Sequence, residues 1–165
     1  MNVKEIKAPL ITIDANIPLA IAFPHSTRMS AENIRGAERI MHALDEGRIA
    51  VIVPSIFFGE IRWVYLREGR EGFEIIYHRL RTALKERFYI VGITPELAIR
   101  AAEYRGKYYS PRRAFSYNDG LYLAVAVSAG AKCLVSSDPH LMEVEEIKTI
   151  EPRDFVERVG LGKEA

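Results

Sequence analysis

Leu10-Ile11-Thr12-Ile13-Asp14-Ala15-Asn16 is the stretch that decides the fold class. A short, apolar, β-branched run closed by a carboxylate reads as a buried strand with a polar residue at its carboxyl end. Ile49-Ala50-Val51-Ile52-Val53, closed by Pro54, repeats the pattern, as do Phe88 to Ile93 and Lys132 to Ser136; Ile147 to Ile150 is a fifth candidate. Helical spacing fills the gaps. Ser30 is a candidate N-cap for a run in which Ile34, Ala37, Ile40, Met41 and Leu44 recur until Gly47. Helices are expected from Ser55 to Glu68 and from Gly72 to Arg87. Thr94-Pro95-Glu96 starts another, to about Tyr108, and Ser116 caps one running to Ala129. Pro152 precedes a short terminal helix. Uninterrupted apolar strands alternating with helices indicate a mostly parallel sheet of four to five strands with helices on both faces. The expectation is one α/β domain over residues 1–165, with its short last strand and helix at about 147–160.

The chain has 165 residues, 48% of them hydrophobic and 27% charged, which excludes a wholly disordered, collagenous or coiled-coil protein. No apolar run is long enough to span a membrane; the longest is Leu121 to Ala129. Met1 to Lys7 has charges but no apolar stretch with a cleavage site, so no signal peptide is expected. The single cysteine, Cys133, can form neither an internal disulfide nor a zinc site and reads as a buried thiol. A cytoplasmic location is expected.

Net charge is +1, but its distribution is uneven. Twelve Lys/Arg face six Glu between Arg62 and Arg113, and sixteen of the 23 basic residues are Arg, the side chain suited to forked phosphate contacts. No Gly-x-Gly-x-x-Gly, P-loop or Gly-x-Ser-x-Gly motif is present. The informative residues are carboxylates. Asp14 and Asp138 stand at or just beyond the carboxyl ends of expected strands, the edge where open α/β sheets bind ligands. Asp119 lies in the first turn of an apolar helix. Glu60 sits among Ile56, Phe57, Trp63 and Val64 at helical spacing, where a carboxylate is costly unless paired or bound to a cation. Each has a structural alternative: Asp14, Asp119 and Asp138 as helix-start residues, Glu60 as the partner of an arginine on another helix. Hard carboxylate oxygens without His or Cys suit magnesium or manganese.

At these residues the sequence resembles the PIN-domain ribonucleases, and among them the VapC-type toxins of toxin–antitoxin pairs. Ile11-Thr12-Ile13-Asp14-Ala15-Asn16 resembles the family's first-strand motif, and Val53-Pro54-Ser55 with Glu60-Ile61 its second. Ser116-Tyr117-Asn118-Asp119-Gly120-Leu121-Tyr122-Leu123-Ala124 resembles the third, and Leu134-Val135-Ser136-Ser137-Asp138 the fourth. The motifs span about residues 11–141. The resemblance implies a parallel-sheet fold whose acidic residues bind one or two divalent ions, Mg2+ or Mn2+, and cleave RNA. It maps the catalytic and metal-binding positions onto Asp14, Glu60, Asp119 and Asp138, with Asn16 and Ser136 in support. Gly120 stands where the family usually has Ala, and the Arg67–Arg87 region is longer and more charged than in a compact toxin.

The function expected is a divalent-metal-dependent endoribonuclease, the toxin of a VapBC-type pair, with a homodimeric chain and an antitoxin partner that lays a basic side chain among the carboxylates. The alternatives are an RNA-processing nuclease without antitoxin and a catalytically silent RNA-binding module. Lys107, Tyr108, Tyr109, Arg112 and Arg113 form the candidate RNA-binding patch, since basic and aromatic groups together suit phosphate contact and stacking. His140, two residues beyond Asp138, reads as an exposed helical residue with no assigned role.

Overall fold

The computed structural model describes residues 8–161; the N-terminal stretch read for a leader and the last four residues of the 1–165 domain lie outside the described residues. Five parallel strands form one sheet in the order β3-β2-β1-β4-β5: β1 (Leu10–Ile13), β2 (Ala50–Pro54), β3 (Phe88–Val91), β4 (Leu134–Val135) and β5 (Thr149–Ile150). Seven α-helices connect and cover it: α1 (Asn16–Ala22), α2 (Ala31–Asp45), α3 (Ile56–Arg67), α4 (Phe73–His78), α5 (Pro95–Tyr108), α6 (Tyr117–Ser128) and α7 (Pro152–Arg158).

Strand alternation explains why β1 and β2 are apolar but for the buried Thr12. Ile11, Ile13, Val51 and Val53 face the larger core, with Ile40, Leu44, Phe57 and Ile61 from α2 and α3. Leu10, Ala50 and Ile52 face the other way, onto Val125 of α6. Both faces are covered, so nothing along these strands selects for a polar side chain. The chain builds outward from β1 to β2 and β3, then returns to add β4 and β5 on the opposite side. The reversal makes the carboxyl ends of β1 and β4 the switch point, where the strand order leaves a crevice.

The expected caps are formed: the Ser30, Thr94 and Ser116 side chains accept hydrogen bonds from the Asn33, Leu97 and Asp119 amides. The Gly72–Arg87 helix is not continuous. It is α-helical only over α4, which buries no residue, and then opens into a π-turn at Arg79–Ala83. The Leu84 amide reaches the Arg79 carbonyl, and Leu80 and Leu84 enter the core. Phe73 and Ile76 pack against the core only partly buried, and burying both leucines selects the wider turn over regular helix. Lys132–Ser136 pairs as a strand only at Leu134–Val135, and Phe88–Ile93 ends at Val91, where β2 ends.

Gly120 is fixed by packing. It lies where α6 crosses α5, and a Cβ there would stand 2.4 Å from the Ala101 carbonyl oxygen. Gly120→Ala is therefore expected to cost about 2 kcal/mol through forced separation of the two helices. Urea unfolding with wild-type stability would show that the crossing relaxes freely.

Candidate active site

Asp14 is the first residue beyond β1 and is 8% exposed. Its Oδ2 accepts a hydrogen bond of 2.9 Å from the Ser136 hydroxyl, and its Oδ1 one of 3.3 Å from the Asn16 amide. Ser136 follows β4 and is fully buried; its Oγ also accepts from the Asp138 amide at 3.0 Å. One hydroxyl thus ties the ends of the two switch-point strands together. Asp138 Oδ1 accepts from the His140 amide at 2.9 Å, closing the turn that follows. The Asn16 side-chain amide donates to Ser137 Oγ at 3.2 Å, linking α1 to the same loop.

Asp119 performs the capping function open to it and retains a second oxygen. Its Oδ2 accepts from the Ser116 amide at 2.7 Å while its own amide donates to Ser116 Oγ at 3.0 Å, a reciprocal capping box. Asp14 and Asp138 are not helix caps: α1 begins after Ala15 with no side-chain cap bond, and a turn rather than a helix follows Asp138, so of the amides that follow it each carboxylate accepts only from the one two residues on. For Glu60, the reading as partner of an arginine fails. Among the described residues Glu60 forms no ion pair, and the arginines of its own helix are engaged elsewhere, Arg62 by Glu74 and Arg67 by Glu68. Glu60 Oε1 is buried with no hydrogen-bond partner.

The electrostatics follow from crowding. Burial, opposed by the Ser136 hydrogen bond and reinforced by Asp119 and Asp138, pushes the Asp14 carboxyl up to about 6. Burial, and then the charge of Asp14, push Glu60 up to about 8. Asp119 is raised as well, mainly by burial. These are the signs expected of like charges gathered in low dielectric with no cation among them. Sequence reasoning missed Tyr122, three residues after Asp119 in α6. Its buried hydroxyl is close enough to ease the Glu60 charge, yet it meets no hydrogen-bond geometry there. A tyrosine one turn beyond the Asp119 motif on an apolar helix was the available signal.

Among the described residues, no three His, Cys, Asp or Glu side chains are already grouped closely enough to hold an ion. The donor chemistry does fit magnesium or manganese: all oxygen, with Glu60 Oε1 buried and unsatisfied beside a second carboxylate whose charge raises its proton affinity.

The five-residue RNA patch is not brought together as one exposed surface. Tyr108 is buried; its hydroxyl donates to Glu146 at 2.5 Å and accepts from the Glu145 amide at 2.9 Å. Lys107 pairs with Glu145 and Glu146. Arg113 lies over the Tyr108 ring, donates to the His140 carbonyl and pairs with Glu143. The acidic 143–146 segment meets all three: Tyr108 is buried against it, Arg113 half-buried, and Lys107 paired with it at the surface. They brace the loop that carries Asp138. Tyr109 and Arg112 remain exposed. His140 is half-buried in a turn rather than helical, and its charge eases that of Asp119.

No curated protein matches the chain in sequence. Solved structures do match it in fold. One is the crystal structure of Mycobacterium tuberculosis VapC20, described as a sarcin–ricin loop cleaving toxin, with TM-score 0.61, 17% identity, and 84% of this chain and 98% of that chain covered. Another is a toxin–antitoxin complex from Klebsiella pneumoniae, with TM-score 0.57, 20% identity, and 86% and 97% covered. A third is VapBC2 from Rickettsia felis bound to a DNA fragment from its promoter, with TM-score 0.58, 15% identity, and 86% and 97% covered. The family profile described as PIN domain matches residues 11–147, from β1 to the approach to β5. Both the fold and that match, which takes in Asp14, Glu60, Asp119 and Asp138, show that the chain belongs to the PIN domain family.

Proposed function

We propose that this chain is a divalent-metal-dependent endoribonuclease and the toxin of a VapBC-type toxin–antitoxin pair. The observation that carries the reading is Glu60: a buried carboxylate oxygen without a partner, facing Asp14 at the carboxyl edge of the sheet. Leaving it unsatisfied is costly unless function requires it. Asp14, Glu60 and Asp119 hold the Mg2+ or Mn2+ ion. When bound, the ion supplies positive charge to the scissile phosphate and a water of lowered pKa. Ser136 and Asn16 position Asp14, and Asp138 orders the loop through its bond to the Ser136 hydroxyl. Asp119 uses Oδ2 for its cap, which leaves Oδ1 as the oxygen that would reach the ion. Single-stranded RNA is the substrate, since an edge site needs a backbone that can be drawn in. The antitoxin places a basic side chain among the same carboxylates and so competes with the cation. The reading includes a homodimer in the cytoplasm.

The test is cleavage of a mixed single-stranded RNA pool by purified protein with magnesium, manganese or chelator. Cutting with either ion and none with chelator is expected. RNA binding without cutting under all three conditions would select the silent binding module instead.

A further inference from the structure

We propose that Arg28 and the trough beside it hold the nucleotide next to the scissile phosphate, Arg28 on its phosphate and the trough floor on its base. The inference rests on the nuclease reading above and names its substrate contacts. A cavity of about 470 Å3 opens beside the carboxylate edge and has Asn16 and Asp138 in its wall. Its floor is apolar, made by Leu19, Phe23, Met29 and Val64. Two arginines stand around it. Arg67 is engaged by Glu68. Arg28 is exposed and, among the described residues, has neither a hydrogen bond nor an ion pair.

A second hollow, of about 340 Å3, continues past Arg28 and shares Arg28, Met29 and Ser137 with the first. Its one acid, Glu151, is paired with Arg153, so among the described residues Arg28 is the arginine along the track with no acidic partner. A guanidinium with no acidic partner over an apolar floor, next to carboxylates built to engage a cation, is complementary to one ligand class. That class carries a phosphate on a flat, weakly polar ring: a nucleotide unstacked from a single strand. A smooth duplex could not lower a base onto Met29 and Val64.

The experiment uses the full chain. Binding of a short, labelled, mixed-sequence single-stranded RNA is followed against salt in chelator, and cleavage kinetics are followed in magnesium. Arg28 is exposed, so Arg28→Ala leaves the fold intact. It is expected to reduce the slope of log affinity against log salt by about 0.7, the value of one phosphate contact on a single strand. It should raise KM about tenfold while kcat stays within about twofold. Val64→Trp, which fills the trough, is expected to raise KM and leave the salt slope at its wild-type value. Wild-type cutting with an Arg28→Ala slope and KM equal to wild type would overturn this inference and leave the nuclease standing. Wild-type protein that neither binds nor cuts RNA would overturn the nuclease reading, and the inference with it.

Discussion

Asp14→Asn is expected to lower metal-dependent RNA hydrolysis by roughly a thousandfold, the loss of several kcal/mol of transition-state charge stabilisation at one ligand position. The change leaves shape almost untouched. The amide keeps an oxygen for the Ser136 hydroxyl, gives up the longer bond from the Asn16 amide, and removes a charge that burial and two neighbouring aspartates penalise. The metal-free variant should therefore unfold no earlier than wild type at pH 8, which separates lost chemistry from lost structure. Single-turnover cleavage at saturating RNA and magnesium gives the rate. A variant within threefold of wild type, on the order of 0.6 kcal/mol, would remove Asp14 from the chemistry.

The second large effect concerns stability. Folded, Glu60 keeps its proton up to about pH 8; the unfolded chain releases it near the ordinary 4.5. Between those values the folded state binds more protons, so stability falls as pH rises and is fully present only below the lower one. Asp14 adds to the same slope between 3.8 and about 6. For Glu60 the full loss is on the order of 4–5 kcal/mol in metal-free protein, roughly a 10 °C drop in Tm for a domain of this size. Glu60→Gln, which cannot ionise, should flatten most of the pH 5–8 slope and be the more stable protein at pH 8 in chelator. Added magnesium should restore wild type at pH 8 and do little for the variant. Thermal unfolding across pH, with and without the ion, measures all of this. A wild-type Tm that is level from pH 5 to 8 in chelator would mean that Glu60 pays no cost in its pocket.

Local chemistry made much of this legible in the sequence. Apolar strands bounded by Pro54 or Asp14, the Thr94-Pro95 start and the Ser30 and Ser116 caps each depend on neighbours within four residues, and each forms as read. Glu60 was conspicuous for the same reason: its helical neighbours are apolar. Features set by distant partners were not readable. The π-turn after α4 depends on how Leu80 and Leu84 reach the core. Lys107, Tyr108 and Arg113 look like an RNA patch until Glu143, Glu145 and Glu146 are brought against them. Gly120 gives no sign in sequence that Ala101 of another helix lies against it. Tyr122, within the third motif, shows no role of its own in sequence because its place depends on Glu60, sixty-two positions earlier.

The claim on which the rest depends is that this carboxylate edge takes a divalent cation. Calorimetric titration of manganese into wild type at pH 7, repeated in buffers of different ionisation enthalpy, tests it directly because the buffer dependence counts protons. With Glu60 near 8 and Asp14 near 6, one carboxyl is mostly protonated at pH 7 and the other mostly ionised. Binding should then release roughly one proton per ion, and Glu60→Gln should bind more weakly with almost no release. Manganese that fails to bind at millimolar concentration, or binds with no proton release and equally well to Asp14→Asn and Glu60→Gln, would contradict it.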